Sequence, residues 1–205
     1  MAINKTPRGK ICRKYGENIF GLSKYDKLLT KKPNKPGQHG AGGRRVKLSE
    51  YGLQLREKQK AKYIYGLLEK QFRNVYEKAR KQKGITGENL IVRLECRLDS
   101  VVHRLGFAPS QRSSRQLVSH KHILVNGKSV NIPSYLVKVN DKISLRNKSK
   151  KMELVHESLK IGRENPTPYL SVDKANLVGE LIDTPKREDV PVIVNEQLIV
   201  ELYSK

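Results

Sequence analysis

The chain has 205 residues, with 42 Lys plus Arg against 20 Asp plus Glu and a formal net charge of +22. It is 37% hydrophobic, with no Trp and 2 Cys, so its core is modest and it has neither a disulfide framework nor a four-cysteine zinc site. No stretch approaches the ~18 apolar residues of a membrane span, and the opening residues lack a signal peptide's apolar run.

Charge of one sign on this scale repels itself in a compact chain unless a polyanion neutralises it. It is also unevenly placed: residues 1–50, 51–94 and 95–150 carry +10, +7 and +8, whereas 151–205 carries −3. The asymmetry predicts a polyanion-facing body and a C-terminal segment with another task, packing on that body or meeting proteins.

Residues 1–48 read as an extended basic arm with short ordered pieces. Pro7, Gly9, Gly16, Gly21, Pro33, Pro36, Gly37, Gly40, Gly42 and Gly43 interrupt every candidate helix. The run 31–45 has no apolar periodicity and buries too little to order alone in water. Its glycines allow close backbone approach to phosphates, with Lys31, Lys32, Lys35, Arg44 and Arg45 as counter-charge and His39 beside them.

Residues 49–94 read as a helical body. Ala61, Ile64, Tyr65, Leu68, Phe72, Val75, Tyr76 and Ala79 recur at three- and four-residue steps, with Ser49 as N-cap and a bend or break at Gly66. The aromatics are expected in the core. Arg56, Lys58 and Lys62 are candidate RNA contacts on this body. Gly84 and Gly87 end the helical signal.

Residues 95–158 read as a small module. Leu98, Val101, Val102 and Leu105 form a short apolar face stopped by Gly106, and Ser110 or Ser113 caps a second helix. A hairpin of Ile123–Val125 and Val130–Ile132 around Asn126-Gly127 follows. A second hairpin is expected from Val137 and Val139 to Ile143 and Leu145, around Asn140-Asp141. Residues 159–205 then return to the helical body, where Leu198, Ile199, Leu202 and Tyr203 share a docking face. Leu198, Leu202 and Tyr203 are the structural candidates there. The fold class is α+β.

Catalytic and metal chemistry find little support. Gly37–Gly43 lacks the Gly-Lys-Ser/Thr ending of a phosphate-binding loop. The histidines, His39, His103, His120, His122 and His156, stand at no familiar ligand spacing with Cys12 or Cys96. Asp99 lies among arginines, and an ion pair or helix-end contact that organises them is the simpler role. Arg97, Arg104, Arg112 and Arg115, with Gln116, His120 and Lys121, instead present fork-shaped and point-charge donors across two short helices, as folded RNA requires. No sequence-specific DNA-reading motif is present.

Five blocks carry a resemblance: PGQHG at Pro36–Gly40, LSEYGLQLREKQKAKYIYG at Leu48–Gly66, RLDSVVHRLGFAPS at Arg97–Ser110, RQLVSHKHILVNGKSVNIPS at Arg115–Ser134 and NEQLIVELYSK at Asn195–Lys205. In this order they resemble the bacterial small-subunit ribosomal protein S-four family along nearly the whole chain. The hairpin block alone is less specific, because the same small module recurs in pseudouridine synthases, tyrosyl-tRNA synthetases and heat-shock proteins. The resemblance implies a non-enzymatic, cytoplasmic constituent of the small ribosomal subunit, with no cofactor, membrane or homo-oligomer. It implies primary binding to the 5′ domain of small-subunit rRNA, nucleation of subunit-body assembly and a place near the mRNA entrance. It further implies ribosomal protein S-five as neighbour, with S-twelve linked through decoding accuracy. A free translational repressor and an RNA-modifying enzyme are the alternatives. Two departures stand out. The start Met1–Pro7 differs from many relatives, and Cys12 is the one cysteine before Cys96, which excludes the relatives' four-cysteine zinc site.

Overall fold

A computed structural model describes residues 6–40, 42, 47–161 and 167–204. Arg44 and Arg45 lie outside the described residues. Helix α1 spans Arg8–Tyr15 and α2 spans Ser23–Lys31, two short ordered pieces within the basic arm. Pro7, Gly16 and Gly21 flank these helices and do not break them. Pro7 is the α1 N-cap, and Gly16, at φ +75°, is its left-handed C-cap. Gly9 is inside α1, where an added Cβ would lie 2.8 Å from Leu28 Cδ2, so its lack of a side chain lets α2 approach. Ile11, Cys12, Tyr15 and Tyr25 are buried, and the Arg8 guanidinium lies 5.2 Å from the Phe20 ring centre.

Helix α3 (Glu50–Ile64) begins where Ser49 Oγ accepts the Gly52 N–H at 3.2 Å. The apolar stripe breaks at Gly66, φ +63°, and resumes in α4 (Glu69–Arg80). Gly87 does not end the helical signal: it lies in the first turn of α5 (Thr86–Glu95). A Cβ there would lie 2.8 Å from Glu196 Cγ, so packing accounts for the glycine.

Helix α6 (Leu98–Arg104) is followed by Gly106 at φ +80°, and Ser110 Oγ accepts the Ser113 N–H to start α7 (Gln111–Ser119). Strands β1 (Ile123–Val125) and β2 (Lys128–Ser129) flank Asn126 and Gly127, both at positive φ as a tight hairpin requires. Residues 130–132 are not a strand. Strand β3 (Lys142–Leu145), α8 (Glu153–Ile161), β4 (Leu170–Asp173), β5 (Val178–Leu181) and α9 (Glu196–Ser204) complete the chain.

The strands form one antiparallel sheet in the order β2-β1-β3-β5-β4, with Ile123 opposite Leu145 and Ile143 opposite Gly179. The expected second hairpin does not form, because β3 has β1 on one edge and β5 on the other. Its proposed partner pairs elsewhere: Leu136 bridges Arg97, and the Val137 N–H donates to the Cys96 carbonyl. Residues 159–205 are therefore not one returning piece, since β4 and β5 belong to the module's sheet. Gly179 leaves room for the Leu105 side chain against that sheet.

The chain divides into two compact units, Met1–Phe72 with Gln197–Lys205, and Arg73–Glu196. In the first, Ile199 is fully buried while Leu198 and Leu202 are half-buried. Tyr203 stacks on Phe72 at 6.5 Å between ring centres, and its hydroxyl donates to Glu69 Oε1 at 3.1 Å. Gln54 Nε2 donates to Glu201 Oε2 at 3.1 Å.

Candidate nucleic-acid interface

Helices α6 and α7 bring the sequence-predicted arginines together, but in two different roles. Arg97 immediately precedes α6 and forks onto Asp99, Nε to Oδ1 at 3.0 Å and Nη2 to Oδ2 at 2.8 Å. Both residues are buried. Arg115 Nη1 reaches the same carboxylate at 3.6 Å from α7, an ion pair longer than a hydrogen bond. Burial pushes the Asp99 carboxyl up, against the opposing pull of both guanidiniums. The Asp99 carbonyl also accepts the Ser114 hydroxyl at 2.7 Å. Asp99 thus ties α6 to α7.

Arg104, at the other end of α6, forks onto the fully buried Glu95 at 2.9 and 2.6 Å. The Tyr169 hydroxyl donates to the same carboxylate at 3.1 Å. Arg97 and Arg104 are therefore fold-organising cations, a correction to their reading as phosphate ligands. Arg115 is drawn partly inward by the same mechanism. The misreading is intelligible, because a sequence shows how many arginines there are but not which of them meet a buried acid.

What α7 offers to solvent is a stripe at four-residue spacing: Arg112, Gln116 and His120 are exposed, and exposed Lys121 follows. Lys121 has φ +62°, a left-handed turn that aligns the end of α7 with β1. The exposed cations Lys128, Lys142, Arg146 and Lys148 were missed by the sequence reading, which within this module weighed charge only on the two short helices.

The first unit sorts its cations similarly. Lys58 and Lys62 both contact Glu69, at 2.5 and 3.2 Å, and Lys60 contacts Glu17 at 2.7 Å. Burial works to raise the Glu69 carboxyl, but hydrogen bonds from Lys58 and Lys62 hold it below the ordinary glutamate range. Arg56 donates to the Tyr15 carbonyl at 2.9 Å and lies over the Tyr15 ring. These three candidates hold the helical body together. Lys31, Lys32, Lys35 and His39 remain exposed, and Arg13 anchors their loop by donating to the Asn34 and Lys35 carbonyls at 2.9 and 3.3 Å. Exposed Lys24, Lys27 and Lys31 lie along one face of α2, and of these Lys24 and Lys27 were missed because no helix was read there.

Among the described residues no group of three or more His, Cys, Asp or Glu is arranged to hold a metal, and no helix is long and apolar enough to cross a membrane. Burial pushes the Cys96 thiol up to about 11, far from a nucleophile's range.

The profile of the "Ribosomal protein S4/S9 N-terminal domain" family matches residues 4–95, and that of the "S4 domain" matches residues 96–143. The chain is 55% identical to the small ribosomal subunit protein uS4 of Parabacteroides distasonis over 205 residues, all of both chains. It is 54% identical over the same full lengths to the proteins of that name from Porphyromonas gingivalis and Amoebophilus asiaticus. With both family profiles matched in tandem and relatives aligned from end to end, the chain belongs to the ribosomal protein S4 family.

Proposed function

We propose that this chain is a non-enzymatic structural constituent of the small ribosomal subunit that binds the subunit's rRNA. The supporting observation is the end-to-end similarity to proteins named for that subunit, together with the exposed cations on α2 and on the α7 stripe. Arg112, Lys121, Lys31, Lys32 and Lys35 bind backbone phosphate by charge-assisted contacts, while Gln116, His120 and His39 supply shorter-range polar contacts. In the finer form of this reading the RNA is the 5′ domain, bound early so that it nucleates the subunit body. The cytoplasmic subunit then places the chain beside protein S-five near the mRNA entrance, and links it with S-twelve in decoding accuracy. These finer points rest on the family resemblance.

Gradient sedimentation of lysate tests the reading directly. The chain is expected at one copy per small subunit, and purified protein is expected to bind 5′-domain transcript with affinity that falls steeply with salt. Residence at the top of the gradient, with a flat plot of log affinity against log salt, overturns it.

A further inference from the structure

His122 joins two parts of the second unit that are far apart in sequence. Its carbonyl accepts the Arg146 N–H at 2.9 Å, and its Nδ1 lies 2.8 Å from Ser149 Oγ. The end of α7 is thereby pinned beside the 3-10 turn Asn147–Ser149. His120 lies 6.2 Å from His122, ring centre to ring centre. His120, Lys121, Arg146 and Lys148 all expose their side chains around this junction.

Two observations distinguish this cluster from the cations of α6. Among the described residues, the ion pairs engage Arg97 and Arg104 but none of Lys121, Arg146 and Lys148. Lys121 also occupies left-handed backbone, φ +62°, which disfavours any residue with a side chain. A glycine would relax that turn, yet a cation stands there.

We infer that the RNA-binding surface of this unit continues from α7 across the His122–Ser149 contact onto the turn Asn147–Ser149, with Arg146 and Lys148 as backbone-phosphate ligands beside Lys121. The inference rests on the rRNA-binding reading above. Arg146 has the planar fork that suits two phosphate oxygens, and Lys148 is a mobile point charge one step along the strand of RNA. An exposed cation with no internal carboxylate gives up only water and counterions on meeting phosphate, whereas Arg97 would have to abandon a buried anion.

The test uses the full-length protein and transcribed 5′-domain rRNA, with binding measured across a salt series. The double variant R146A/K148A is expected to lower the slope of log affinity against log salt by about two, and to weaken binding about 10- to 30-fold at 0.15 M salt. R146K/K148R keeps the slope, and the control K174A, exposed in the β4–β5 turn, binds like the unaltered chain. RNA is also expected to protect Lys148 from an amine-acylating reagent, a readout that needs no variant. Equal labelling of Lys148 with and without RNA, or R146A/K148A binding like K174A, overturns the inference. If R112A/K121A loses slope while R146A/K148A does not, the RNA reading stands and the extension falls. If the unaltered chain shows no salt-dependent binding, the RNA reading itself falls and takes the extension with it.

Discussion

A carboxylate with no exposed surface, Asp99, is held between Arg97 and Arg115, and this decides what neighbouring arginines do. Removing one partner of a buried pair leaves the other charge without compensation, at a cost of about 3–5 kcal/mol. Asp99→Ala is therefore expected to lower stability by that amount, because Arg97 is buried and cannot recover its lost hydration. Arg112→Ala, on the exposed stripe, is expected to change stability by no more than about 0.5 kcal/mol while weakening rRNA binding. Chemical unfolding and RNA titration of both variants check this. Equal destabilisation by the two would remove the distinction between organising and RNA-facing cations.

Helix α9 shows how a local pattern and its packing part company. Leu198, Ile199, Leu202 and Tyr203 are all spaced for a docking face, and the structure buries Ile199 completely while leaving both leucines half-exposed. Truncating a fully buried isoleucine costs about 2–5 kcal/mol through lost transfer energy and the cavity left behind. Ile199→Ala is expected in that range and Leu198→Ala well below it, as read from denaturant midpoints. Glu69 adds a polar anchor at the other end of the helix, accepting from Tyr203 as well as from Lys58 and Lys62. A larger loss from Leu198→Ala than from Ile199→Ala would mean that α9 docks on a different face.

Across the whole molecule, the sheet makes residues 167–182 part of the module. β5 occupies the edge of β3 that β1 leaves open, Tyr169 satisfies Glu95, and Leu105 packs in the space at Gly179. A chain stopped at residue 161 would keep α6, α7 and β1–β3 but expose an unpaired strand edge, which invites pairing with other chains. Such a fragment is expected to lose cooperative unfolding and to self-associate, as measured by circular dichroism and size-exclusion chromatography. A monomeric fragment with a native-like melt would show that the third to fifth strands do not form one folding unit.

The sequence by itself determined the α+β class, the basic body with its acidic C-terminal segment, and several of the element ends. Ser49, Gly66, Gly106, Ser110 and the Asn126-Gly127 turn act within one turn of chain, so their meaning is set by adjacent residues. The five sequence blocks that resemble the S-four family likewise pointed to the family that the full-length relatives establish. Tertiary structure alone decided that Gly9 and Gly87 are packing positions inside helices, that β3 pairs with β5 and not with residues 137–139, and that Arg97 and Arg104 face buried acids. Each of these depends on which distant group arrives at a given surface. Local periodicity carries the direction of a helix or strand, but a strand's partner and a cation's counter-ion are chosen by long-range packing.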